Sequence, residues 1–276
     1  MTGRRVGMGI ATLLALVVTA CAGESGGPAS ATDPSAGDAT TPAPIEAPTV
    51  AERCGAGPDV AIEQIASPEG ASRLLVATWG EGPTSVLVLH QTTGDGICGS
   101  VSYGDWLAGQ GLQVSAMDLC GYGQSTCDET LSAAPAEQVK LVVDHLRASG
   151  GGDVALVGAS LGGSVAMTAG PKVGASRVVA LSPPNRWEGL LRDTEATAAM
   201  SAPWVLVTAK ADSGVNADDW KAAGSSNADG EVIVVPGSDH GWSLVTDGRL
   251  TDPTVSTLGK SIASWVKGAK GATVEP

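Results

Sequence analysis

From residue 74 onward, short aliphatic runs alternate with segments whose apolar residues recur at helical spacing, and this alternation limits the chain to few architectures. The runs occupy residues 74–79, 85–90, 113–119, 154–159, 178–181, 204–209 and 231–235, each the length of a strand. Several are almost unbroken (SVLVLH, VALVGA, WVLVTA, VIVV). A strand with water on one face would alternate, so unbroken runs predict a parallel sheet covered on both sides. Between them Val139, Val142, Val143 and Leu146 fall on one helical stripe, as do Val255, Leu258, Ile262 and Trp265 or Val266. Strands alternating with helices predict βαβ units. The expected fold is α/β, a doubly wound and mostly parallel sheet with helices on both faces and ligands at the carboxyl ends of the strands. There is no sign of a repeat or of a second domain.

The composition supports one large core, with 43% apolar and 16% charged residues in 276. Aromatics are only 3%, with seven Trp, two Tyr and no Phe, so aliphatic side chains must fill the interior. The net charge of −13 would repel a phosphate backbone, and no basic patch offsets it; nucleic acid is excluded as a partner.

The N-terminus reads differently. Arg4 and Arg5 precede an apolar stretch over residues 6–20 (VGMGIATLLALVVTA) that is short for a permanent span and has the layout of a signal peptide. It ends in Val18-Thr19-Ala20-Cys21, which resembles the lipobox of bacterial lipoproteins. That resemblance implies removal of residues 1–20, lipidation of Cys21 and attachment to the extracytoplasmic face of the cell membrane. An ordinary cleavage site beside an incidental cysteine is the alternative. Cleavage would remove two arginines and no acid, taking the charge from −13 to −15. From Ala22 to about Val50 the chain is rich in Gly, Pro, Ser, Ala, Thr and Asp, too polar to bury enough surface to order itself. Residues 21–53 are therefore expected to be a tether reaching about 30 Å. The folded domain is expected over 54–270, and a flexible tail over 271–276.

Beyond Cys21 stand Cys54, Cys98, Cys120 and Cys127, an even number suited to two disulfides in an exported chain. Three pairings are possible. The short Gly-containing loop CGYGQSTC favours Cys120 with Cys127, which leaves Cys54 for Cys98; free buried thiols are the alternative. No Cys/His spacing suggests a metal.

Chemistry enters at Gly158-Ala159-Ser160-Leu161-Gly162, where the run DVALVGA meets a helical pattern starting at Leu161. A serine on such a tight turn is pushed out of the sheet, and the small flanking residues let strand and helix approach. A chain with 38 glycines can contain such a pentapeptide by chance, so context must decide.

From about residue 59 to 268 the sequence resembles the α/β-hydrolase family, in its uncapped, esterase-like form. The family's order is nucleophile, acid, histidine, each after a strand. Here Ser160 is followed by Asp212 in WVLVTAKAD and by His240 in VIVVPGSDHGW. Asp118, Gly121, Gly123 and Ser125 match the family's DxxGxGxS loop. The resemblance implies Ser160 as nucleophile, His240 as general base and Asp212 as its orienting acid, with Asp218, Asp219 and Asp239 as competing acids. It implies an oxyanion hole from the Leu161 N–H and a second donor after Leu89-His90. The family's His-Gly is His90-Gln91 here, so the second donor is expected at Thr92, with Gln91 the other choice.

Of the three histidines, His145 lies in a helical pattern and is expected to be solvated, while His90 is expected to serve a structural hydrogen bond. The segment SPPNRWEGLLRDTEATAAMSAP is too short for a large cap. Trp242 is the expected substrate wall, with Trp187 and Leu190 as other candidates. These readings predict a monomeric extracytoplasmic serine hydrolase, a carboxylesterase, acting on small-molecule or polymeric esters with no metal or organic cofactor. The alternative is a non-catalytic surface lipoprotein using the same fold as a binding module.

Overall fold

The computed structural model describes residues 47–269 and 272–276. The expected signal peptide, Cys21 and most of the expected tether lie outside these residues. Eight strands form one sheet: β1 (Glu63–Ala66), β2 (Arg73–Trp79), β3 (Ser85–Leu89), β4 (Gln113–Met117), β5 (Val154–Ala159), β6 (Val178–Leu181), β7 (Trp204–Ala209) and β8 (Gly230–Val235). Their order is β1-β2-β4-β3-β5-β6-β7-β8. β1 and β2 are antiparallel to their neighbours, and every pairing from β4 across to β8 is parallel.

The unbroken apolar runs have their cause in two cores, one on each face. Val86 and Val88 of β3 enter one cluster with Ala155, Val157, Val205 and Val207. Leu87 and Leu89 enter the other with Val154, Leu156 and Leu206. The first core is covered by α1 (Val50–Cys54), α2 (Val101–Gly109) and, near the C-terminus, Leu258, Ile262 and Val266. The second is covered by helices α3 (Glu129–Ser132), α4 (Pro135–Ala148), α5 (Leu161–Val173), α6 (Asp193–Ala199) and α7 (Ala217–Gly224). The last helix, α8 (Thr257–Val266), buries Leu258, Ile262 and Val266 of the stripe expected there, with Trp265 only partly covered; Val255 falls before the helix, where it is buried in a bridge with Thr246. Between β6 and β7 the only helix is the seven-residue α6, so among the described residues no large cap stands over the sheet.

Both ends of the domain extend further than the sequence predicts. The boundary expected at Cys54 falls too late. Thr49 caps α1 in a reciprocal capping box with Glu52, and Val50 is fully buried. At the other end the expected flexible tail instead buries Val274, and the Ser261 hydroxyl donates to Thr273 O and accepts from Glu275 N. Cys54 is bonded to Cys98 and Cys120 to Cys127, the favoured pairing.

The N-terminal helix is fixed by charge as well as by sulfur. The Asp118 carboxylate, fully buried at the end of β4, accepts from Arg53 Nη1 at 2.8 Å and Nη2 at 3.1 Å. It also accepts from the backbone N–H groups of Ile97 and Gln124. Arg53 is itself covered, with a side chain 3% exposed. Removing one member of a buried pair leaves the other charge without compensation. Arg53→Ala is therefore expected to lower stability by about 3–5 kcal/mol, read as a lower denaturation midpoint in urea. A loss within experimental error would show that Asp118 does not need this partner.

Candidate active site

At the end of β5 the backbone turns from strand to helix at a single residue. Ser160 has φ +49° and ψ −117°, outside the usual L-residue regions, and its side chain stands at the N-terminus of α5. The two glycines of the motif make this reversal sterically possible. A Cβ on Gly158 would overlap the carbonyl of Gly162, and one on Gly162 would overlap the carbonyl of Leu89. The helix start is thus pressed against β3 as well as β5. The Leu161 N–H is the first of α5 and has no protein acceptor among the described residues.

Two strands along, Asp212 follows β7 and is 8% exposed. Its Oδ1 accepts from the Gly214 N–H at 2.9 Å, which orients the carboxylate. His240 follows β8 and presents Nδ1 to that carboxylate, 2.8 Å from Oδ2 and 3.0 Å from Oδ1. The adjacent turn at Gly241–Leu244 folds back toward β5: a Cβ on Gly241 would lie 3.4 Å from the Cβ of Ala159, the neighbour of Ser160. The competing acids do not meet His240. Asp218 and Asp219 are exposed in the first turn of α7, and Asp239 is exposed. His145 is half-exposed on α4, near Glu63.

His90 is buried and holds the loop that follows β3. Its Nε2 accepts from the Leu119 N–H at 3.0 Å, which assigns the proton to Nδ1, and Nδ1 donates to the Gln91 carbonyl at 2.7 Å. In a trans peptide the C=O and N–H point in opposite directions, so the Thr92 N–H is turned away from His90. Neither the Thr92 nor the Gln91 N–H has a protein acceptor among the described residues.

Two cavities flank these loops. One of about 440 Å³ is lined by Leu119, Tyr122, Leu161 and Trp187. The other, about 470 Å³, is lined by Gln91, Thr93, Tyr103, Trp242 and Ser243. Trp242 is 5% exposed and packs on Tyr103, so it serves core and cavity together. Leu190 lines neither cavity and packs on the second core. Among the described residues no group of three or more His, Cys, Asp or Glu side chains is placed to hold a metal ion.

A model of the α/β hydrolase family matches residues 86–204. A crystal structure of a predicted CIB-like hydrolase from Thermoplasma acidophilum superposes with a TM-score of 0.56 at 17% identity, covering 76% of this chain and 99% of that one. A lidless α/β serine hydrolase from Xanthomonas campestris gives 0.55 at 16% identity, covering 79% and 97%. An esterase from Pyrococcus furiosus gives 0.57 at 15%, covering 81% and 96%. The chain has the α/β-hydrolase fold. No curated protein sequence matches it. The matched segment contains Ser160 but neither Asp212 nor His240, so the pairing of those two side chains is information from geometry alone.

Within this α/β-hydrolase fold, sequence reasoning missed two contributors. Arg53 pairs with Asp118 across a separation of 65 residues, which no local pattern reveals. The side chain of Gln91 reaches Trp242, across 151 residues.

Burial lowers the pKa of His90 below its ordinary 6.5, against weaker upward pulls from the Gln91 carbonyl and Asp118. The unfolded chain then binds this proton more tightly than the folded one. The resulting stability is complete above about pH 6.5 and is lost as pH falls from there through the folded-state value. Thermal midpoints measured downward from pH 8 are expected to drop below pH 6.5, and less steeply in His90→Asn. Equal slopes in both proteins would remove His90 as the source.

Proposed function

We propose that the chain is an extracytoplasmic serine hydrolase, a carboxylesterase working through an acyl-enzyme on Ser160. The observation that carries this reading is the His240–Asp212 pair, whose adjoining turn packs on Ala159, the neighbour of a serine held in a positive-φ turn. Ser160 Oγ attacks the ester carbonyl carbon while His240 Nε2 takes its proton. The carbonyl π pair moves onto oxygen, and that oxyanion is met by the N–H groups of Leu161 and Thr92. Collapse re-forms the carbonyl and breaks the bond to the alcohol, which leaves with the proton from His240. Water, deprotonated by the same imidazole, then attacks the acyl-serine; collapse releases the acid and returns the proton to Oγ. Asp212 keeps the Nδ1 proton in place and steadies the imidazolium in both halves.

The uncapped strand ends favour esters with groups on both sides of the scissile bond, small or polymeric, and the two flanking cavities offer room for each side. For location, the lipobox-like Val18-Thr19-Ala20-Cys21 supports a lipid anchor on Cys21 and an outward-facing domain on a tether. The competing reading, a binding module that keeps the fold without chemistry, draws on the replacement of the family's glycine by Gln91.

Treating the purified chain with a fluorophosphonate and mapping the peptides separates the two. Covalent modification at Ser160 is expected, together with nitrophenyl ester turnover that Ser160→Ala lowers by about 10⁴-fold or more. Absence of labelling, or an unchanged turnover number in Ser160→Ala with the fold intact, would refute the esterase.

A further inference from the structure

We propose that Gln91 is a positioning residue, its side chain tying the oxyanion loop to the loop that carries His240. The inference rests on the serine-hydrolase reading and concerns how this chain keeps its donor and its base in register. Gln91 is held at two points. Its carbonyl accepts from His90 Nδ1 at 2.7 Å, and that same peptide unit supplies the Thr92 N–H. Its side-chain amide donates from Nε2 to Thr93 Oγ1 at 2.8 Å, while Oε1 accepts from the Trp242 N–H at 3.4 Å. Among the described residues this last contact is the one hydrogen bond joining the two loops.

The far side is shaped to receive it. Gly241, next to His240, has φ +60°, and a Cβ there would overlap Gln91 Oε1. Gln91 and Gly241 are thus complementary: the side chain missing at 241 is the space the amide fills. The His240 loop has other supports, on α2 through Trp242 against Tyr103 and Thr246 bonded to Ser102, on Asp212, and within itself. Ser243 Oγ accepts from the His240 N–H and donates to its carbonyl, and Asp212 holds the ring. None of these fixes the imidazole against the oxyanion donor. Gln91 also lines the cavity of about 470 Å³ with Thr93, Trp242 and Ser243. A cavity wall would affect substrate affinity, whereas a tie would affect the transition state, and kinetics separate the two.

The experiment uses the purified chain, a nitrophenyl ester and the variants Gln91→Gly, which supplies the residue the family has, and Gln91→Met, which keeps the bulk but not the hydrogen bonds. Both are expected to lower kcat and kcat/KM together by about 10- to 100-fold, with KM changed less than about twofold. Gly241→Ala is made in the parent and in the Gln91→Gly background. It is expected to cost at least about fivefold more in the parent, where the new methyl meets the amide. Parental kcat in both Gln91 variants, a raised KM with unchanged kcat, or an equal cost of Gly241→Ala in the two backgrounds would each overturn the tie. Failure of the underlying reading looks different: a parent not labelled at Ser160 overturns the hydrolase and the inference together. A labelled, active parent with indifferent Gln91 variants overturns the inference alone.

Discussion

The reversal of the chain at Ser160 is the constraint on which the site depends. Strand and helix meet there within one residue, and the backbone can do so only because positions 158 and 162 carry no Cβ to strike the facing carbonyls. A non-glycine residue at φ +49° is strained, by about 1–3 kcal/mol, and persists only where its surroundings hold it. They do so on three sides. The Ser160 N–H donates to Leu181 O of β6, its carbonyl accepts from Ser164 N in α5, and the start of α5 rests against the end of β3. Strain at this point therefore draws on the whole parallel sheet for its support.

A second organiser lies on the other side of the loop after β3. The Asp118 carboxylate gathers Arg53 from the first helix, Ile97 from the turn that ends the loop after β3, and Gln124 from the loop after β4. Gly123 approaches so closely that a Cβ would overlap the carboxylate. Each disulfide has an end near this centre, Cys54 beside Arg53 and Cys120 beside Leu119. The N-terminal helix is therefore part of what holds the loop after β3, and the domain has to begin before Cys54.

What was legible in the sequence follows from where each signal is stored. Strands β2 to β7 stand out because burial on both faces makes them largely apolar words, and the edge strand β8 reads the same way although only its Ile233 is buried. β1 buries only Ile65 among its four residues, so no run betrays it. Ser160 is legible because its turn demands small residues at fixed spacing. Asp212 and His240 are legible as types in an order, and their contact becomes a fact only once β7 and β8 lie side by side. Arg53, Val274 and the side chain of Gln91 have partners distant in sequence, and a polar or isolated apolar residue carries no periodic mark of such a partner. The expected structural role of His90 could be anticipated from its place at a strand end. Its two partners, Leu119 and Gln91, could not.

The two members of the pair meet water very differently, and this bears on the chemistry proposed for them. The side chain of Asp212 is 3% exposed, while that of His240 is 38% exposed. A buried carboxylate with fixed donors has little freedom to reorient, so it can set the ring and the tautomer without being displaced by solvent. The imidazole it holds remains open. In an acyl-enzyme mechanism the second half-reaction needs a water molecule at the base, and no cap stands in its way among the described residues. The same openness leaves transfer to other acceptors uncontrolled by the fold, and makes the loops themselves, rather than an enclosing domain, responsible for the geometry. In that setting the contact of Gln91 from the loop after β3 to the loop that carries His240 supplies, on our proposal, the fixation between them.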